Sequence, residues 1–152
     1  MANSSVTVTK VAFNRIPAIA RALTRESNII VQKVATDIHY EVVASFEGPK
    51  SGRYYAVPGV RSSRKGGGGR RHRASAPGQA PARMFGLLAA STAIGRSYNQ
   101  AVIYVGSKYA AHLEYGTSRM AARPFLRPVA RKYQAIFNFA IRIMVERATG
   151  AR

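Results

Sequence analysis

The stretch from Ile16 to Phe46 constrains the fold most, because its apolar residues recur with a helical period and neither proline nor glycine interrupts them after Pro17. Ile16, Ile19, Ala20 and Leu23 form one stripe, and Ile30, Val34, Ile38 and Val42 continue it at intervals of four. Asn14 is placed to cap the start, Pro17 is tolerated in the first turn, and Gly48-Pro49 stops the run; a kink is expected near Ser27-Asn28. At ~1.5 Å per residue such a helix is ~45 Å long, so in a chain of 152 residues it must lie across most of the domain.

The remaining elements are shorter. Ser4 to Lys10 alternates β-branched and polar residues, as a short strand would. Leu87 to Ser97 reads as a strand, or as a short helix leading into one, and Gln100 to Gly106 reads as a buried strand. Tyr109 to Tyr115 reads as a short helix ended by Gly116 in the left-handed conformation. Pro124 and Pro128 introduce a last helix from about Arg127 to Ala148, with Val129, Tyr133, Ile136, Phe137, Ala140, Ile143 and Met144 on its apolar face. The expected architecture is α+β: one domain over residues 1–152, with a small antiparallel sheet packed against a long N-terminal helix and a C-terminal helix.

Residues 49–82 differ in composition and read as a long loop or open hairpin inserted into that domain. A strand candidate, Arg53 to Val57, is followed by an Arg-rich run around four consecutive glycines, Gly66 to Gly69, which are costly to order. From Lys50 to Arg83 there are nine basic residues and no acid, half of the chain's net charge of +18 in less than a quarter of its length. Charge of this sign points first to nucleic acid. Arg61, Arg64, Lys65, Arg70, Arg71 and Arg73 are the candidate phosphate contacts, without base reading, since no helix or rigid ribbon is expected there to enter a groove. The competing readings are a solvated charge run and contact with an acidic protein.

Other classes fall away. No cysteine means no disulfide scaffold, thiolate metal site or cysteine nucleophile, and suggests assembly in a reducing, intracellular setting. No apolar run reaches the roughly 18 to 20 residues that span a bilayer, and the first residues do not resemble a signal peptide, so a soluble, unprocessed chain with no membrane partner is expected. His112 and Glu114 lack the i, i+4 spacing of a zinc helix, and the four glycines are not followed by the Lys-Ser or Lys-Thr of a phosphate-binding loop. Asp37 and Glu41 lie one helical turn apart but read as ion-pair partners for arginines rather than an acid/base pair. No enzyme activity, metal or cofactor is expected.

The run Lys108 to Pro128, with Tyr109-Ala110, Glu114-Tyr115-Gly116-Thr117, Ala122 and Pro124-Phe125-Leu126-Arg127-Pro128, resembles the sequence pattern of the HK97 gp10-like family of tailed-bacteriophage neck proteins. His72 to Ala82, HRASAPGQAPA, resembles a second element of that family; Met84-Phe85 then stand where most members have Thr. With the long helix in its expected place, the resemblance covers about residues 14 to 148. It implies a virion structural protein, a head-tail connector or tail-completion component of the neck assembled in the host cytoplasm. Such a component forms a ring, a hexamer by the six-fold symmetry of tails, between the portal-side connector and the tail tube or tail terminator, on the path of the DNA. The alternative is a free-standing, sequence-independent nucleic-acid-binding protein of packaging or ribosomal type.

Within the motif, Gly116, Thr117, Pro124 and Pro128 read as fold-determining. Phe125 is either a core anchor or a plug into a neighbouring subunit. Glu114 is expected to pair with an arginine, either across subunits or with Arg119 or Arg123 of the same chain. A magnitude limits the DNA role: six copies at +18 each carry +108, whereas duplex DNA offers about 24 charges over a ~40 Å ring. Most of that positive charge must face counterions or acidic neighbours.

Overall fold

The structure, a computed structural model, describes residues 16–57 and 71–150. In chain order the elements are α1 (Ile16–Ser45), β1 (Tyr54–Ala56), β2 (Arg71–Arg73), α2 (Leu87–Ala90), β3 (Thr92–Ser97), β4 (Gln100–Val105), α3 (Ala110–Tyr115) and α4 (Arg127–Thr149). The α+β class holds, but the strands form two separate antiparallel pairs, β1 with β2 and β3 with β4, rather than one small sheet. The strand expected at Ser4 to Lys10 and the cap at Asn14 lie outside the described residues.

Helix α1 runs without interruption through Ser27 and Asn28. Those residues supply a clamp on the β3–β4 turn: Asn28 Oδ1 accepts the Asn99 N–H at 3.0 Å, and Ser27 Oγ donates to Asn99 Oδ1 at 3.0 Å. One turn further on, the Gln32 side-chain amide donates to the Ser97 carbonyl at 2.8 Å. Asn99 turns the chain with φ 53°, a conformation asparagine tolerates better than most side chains. At the other end of α1, Lys50 Nζ donates to the Ser45 carbonyl at 2.7 Å, satisfying one of the acceptors a helix C-terminus leaves open. Burial there pushes the Lys50 pKa down.

The β3–β4 hairpin pairs Thr92 with Val105 through to Ser97 with Gln100. One face, with Thr92, Ile94, Ile103 and Val105, is buried or half-buried; the other exposes Val102 and Tyr104. The strand expected to be buried is therefore covered on one side only. Helix α4 crosses α1, tied to it by Lys132 and Glu41 at 2.8 Å; Asp37 pairs with Lys33. Both acids find lysines rather than the arginines expected. Glu41 titrates below its ordinary value, chiefly because Lys132 donates to its carboxylate.

The core lies where the C-terminal end of α1 meets α2, α3 and the start of α4. Val42, Phe46, Leu88, Ala110, Phe125 and Val129 form it, with Phe46 and Phe125 edge to face at 5.3 Å between ring centroids. It is a small core: away from it, large apolar side chains along α1 and α4, including Ile29, Ile136, Phe139 and Val145, remain exposed. Among the described residues no helix is long and apolar enough to cross a membrane.

Candidate functional site

The two stretches singled out by their sequence are brought together. The chain leaves β2 through Ala74 to Ala82, and there the Gly78 N–H donates to the Ala122 carbonyl at 2.9 Å, joining that stretch to the Lys108–Pro128 run. Gln79 organises the first of them, its Oε1 accepting from the Ser51 N–H, the Ser51 hydroxyl and the Ala76 N–H at 3.0–3.1 Å. Gly52 passes so close to this segment that a Cβ would sit 2.5 Å from the Ala74 carbonyl oxygen, which explains the glycine.

In the second stretch, α3 ends at Gly116, whose backbone has φ 78° and ψ −179°. This is not the left-handed helical cap expected but an extended positive-φ conformation essentially restricted to glycine. A Cβ there would also meet the Met120 carbonyl oxygen at 2.8 Å and the Ala122 nitrogen at 2.9 Å. The turn is closed by Thr117, whose N–H donates to the Met120 carbonyl at 2.8 Å. The Arg123 N–H donates to the Leu113 carbonyl at 2.7 Å, laying the returning chain on α3. Pro124 is half-buried on that return, and Pro128 occupies the first turn of α4, where its missing N–H is not needed.

The return places the start of α4 on Glu114. This carboxylate, 5 % exposed, is the cap that the helix's own N-terminal residue does not supply. Oε2 accepts the N–H groups of Phe125 at 2.8 Å and Leu126 at 3.0 Å; Oε1 accepts the Arg127 N–H at 2.8 Å and Arg127 Nε at 3.2 Å. Arg127 also donates to the Glu114 carbonyl at 3.1 Å and lies over the Tyr115 ring at 4.7 Å from its centroid. Burial acts to raise the Glu114 pKa. The N–H groups of Leu126, Phe125 and Arg127 and the Arg127 side chain act against it and prevail, so the carboxyl titrates below its ordinary value.

Glu114 thus pairs with Arg127 of its own chain, not with Arg119 or Arg123, and its carboxylate is enclosed within the protomer. Phe125, 2 % exposed, takes the core alternative, and Ala110 is buried in the same core. Tyr109 and Tyr115 are the exposed aromatic side chains of the motif, and Thr117 and Pro128 are exposed as well. The roles of Arg127 and Phe46 were not marked by any local spacing; what links them to Glu114 and Phe125 is the chain reversal at Gly116.

Of the basic candidates, Arg61, Arg64, Lys65 and Arg70 lie outside the described residues. Arg71 and Arg73 are exposed on β2, which pairs with β1 in the register Tyr54 to Arg73, Tyr55 to His72 and Ala56 to Arg71. The base of the insert is therefore a two-stranded ribbon, which fits the open-hairpin alternative and puts a ribbon where no rigid one was expected. Directly opposed residues share a face, so Tyr54, Ala56, Arg71 and Arg73 lie on one side of it; Arg73 stacks over Tyr54 at 5.3 Å. The ribbon offers cations for phosphates beside exposed aromatic rings.

Comparison of the chain with family models, with curated proteins and with solved structures finds no match.

Proposed function

We propose that the chain is a structural protein of the neck of a tailed bacteriophage. It forms a ring, taken as hexameric, that serves as a head-tail connector or tail-completion protein between the portal-side connector and the tail, and it lets DNA pass without reading its sequence. Its work is assembly rather than catalysis. The observation that carries this reading is the uneven coverage of the fold. The motif around Glu114 is locked to its own core, while Ile29, Tyr40, Phe85, Leu87, Phe139 and the outer face of the β3–β4 hairpin stay uncovered. Apolar surface spread over several faces suits a subunit whose neighbours complete its packing.

The free-standing nucleic-acid-binding reading draws support from the Arg71–Arg73 ribbon and the net charge of +18. Cryo-electron microscopy of intact particles separates the two. A symmetric ring of this chain at the head-tail junction is expected, with the ribbon toward the lumen if it meets DNA. Absence of the chain from the neck would overturn the connector reading and favour the rival.

A further inference from the structure

A cleft of about 320 Å³ opens beside the core. Phe85, Leu87, Tyr109 and Leu113 line it together with His72 and Arg123, and no Asp or Glu does. Phe85 and Leu87 are each 65 % exposed, an unusual state for two large apolar side chains side by side. Arg83 also lines the cleft but is engaged by Glu47. Arg123 is not engaged: its Nε is buried without a partner, and its side chain makes no hydrogen bond or ion pair among the described residues. Ser75, 2 % exposed and in the same lining, has a buried Oγ that is likewise without a partner. Three buried side-chain polar atoms among the described residues lack partners, and two belong to this cleft; the third is Gln32 Oε1, on α1. Native folds leave few such groups unpaired, and two of them in the lining of one cleft mark it as a place where a bound group could complete the pairing.

The chemistry of the occupant follows from the lining. A guanidinium fork is matched by a carboxylate, and apolar walls are matched by a bulky apolar side chain. Four of the chain's six acids, Asp37, Glu41, Glu47 and Glu114, are already ion-paired within the protomer. A second copy would bring only Glu26 or Glu146 and with either of them another +18 of charge, whereas an acidic partner lowers the repulsion it meets. We propose that this cleft binds a segment of a partner protein in which an acidic residue adjoins a bulky apolar one. The carboxylate sits on Arg123 and the apolar side chain lies among Phe85, Leu87 and Leu113. This site stands on the cleft itself and does not depend on the ring.

The test is a selection of short random peptides, displayed as a library, on the immobilised full chain at physiological ionic strength, followed by fluorescence anisotropy with a selected peptide. Enriched peptides are expected to pair Asp or Glu with Phe, Leu, Ile or Trp. Arg123→Gln should weaken binding about tenfold or more. Phe85→Ser, which leaves the charge unchanged and alters an exposed side chain, should weaken it severalfold, so the proposal stays testable even if the Arg123 variant folds poorly. Arg131→Gln, an equal loss of charge on the exposed surface of α4, should leave binding unchanged. Equal losses for Arg123→Gln and Arg131→Gln, enrichment of acidic residues without apolar ones, or no enrichment would each overturn the proposal. Self-association of the free chain abolished by Arg123→Gln would overturn it too, by giving the cleft to a second copy.

Discussion

Replacing Glu114 with glutamine changes little but one charge and one acceptor, and the structure fixes what that should cost. The carboxylate serves four donors: the N–H groups of Phe125, Leu126 and Arg127, and Arg127 Nε. A glutamine keeps one acceptor oxygen and turns an NH2 group toward the other donors, so two of the four lose their acceptor. Hydrogen bonds to a charged group contribute about 1.5–3 kcal/mol each, and negative charge at a partly buried helix N-terminus contributes up to about 2 kcal/mol. Allowing for relaxation, Glu114→Gln is expected to lower stability by about 3 kcal/mol, a large share of the roughly 5–15 kcal/mol that holds a domain together. The penalty must depend on pH in a defined direction. Because the folded carboxyl titrates below its unfolded value, the stabilisation is complete above the ordinary carboxylate range and is lost as pH falls through the folded pKa. Urea unfolding followed by circular dichroism, run on both proteins from neutral to acid pH, isolates this group, since the other carboxyls titrate in both. The gap should be widest near neutrality and close in acid. A gap under about 0.5 kcal/mol at neutral pH, within the usual effect of a surface substitution, or a gap that does not change with pH, would refute the capping role.

Phe125→Ala removes the partner of Phe46 from a small core and should cost about 3–4 kcal/mol by chemical denaturation; a loss under about 1 kcal/mol would contradict its burial. Gly116→Ala forces a Cβ into a glycine-only conformation and against two backbone atoms, so the thermal midpoint should fall by the equivalent of about 2–3 kcal/mol. An unchanged midpoint would mean the turn has another shape. Ser75→Ala deletes a buried hydroxyl with no partner and should leave stability the same or raise it by up to about 1 kcal/mol; a clear loss would show that the hydroxyl is bonded.

Helices α1 and α4 were legible because each carries a long periodic face bounded by proline and glycine, and both end within a residue of the bounds read from the sequence, Phe46 and Ala148. The β3–β4 hairpin was legible as strands but not as half-covered ones. Ala101-Val102-Ile103-Tyr104-Val105 is apolar on both faces, so the sequence demands cover for each, yet α1 reaches only one. Strand β2 carried no signal at all, since Arg71-His72-Arg73 has neither β-branched nor apolar residues. It is a strand because Tyr54-Tyr55-Ala56 offers a partner. The pairing of Glu114 was hidden for a different reason. Arg119 and Arg123 are nearer in sequence, but both lie on the turn that Gly116 begins, and only the reversal through Ala122 returns Arg127 to the carboxylate. Spacings of eleven to thirteen residues obey no local rule. The cleft beside Arg123 was invisible for the same reason, as its walls come from four separate stretches of chain.

Assembly and DNA contact place opposite demands on this surface, and salt tells them apart. Copies that meet through Ile29, Tyr40, Phe139 and the hairpin face gain from apolar burial, which salt does not screen, while their charges of +18 repel. That repulsion reaches ~30 Å at 0.01 M ionic strength and only ~8 Å at 0.15 M. Self-association should therefore strengthen as salt rises. Phosphate contact runs the other way, with affinity falling by a log–log slope of about 0.9 for each phosphate neutralised, so Arg71→Ala with Arg73→Ala should flatten the slope by about 2 if both residues touch the backbone. Sedimentation velocity and DNA binding, measured across the same salt series, should move in opposite directions. Self-association that weakens with salt would show charge pairs, not the uncovered apolar faces, holding copies together, and would remove the observation on which the connector reading rests.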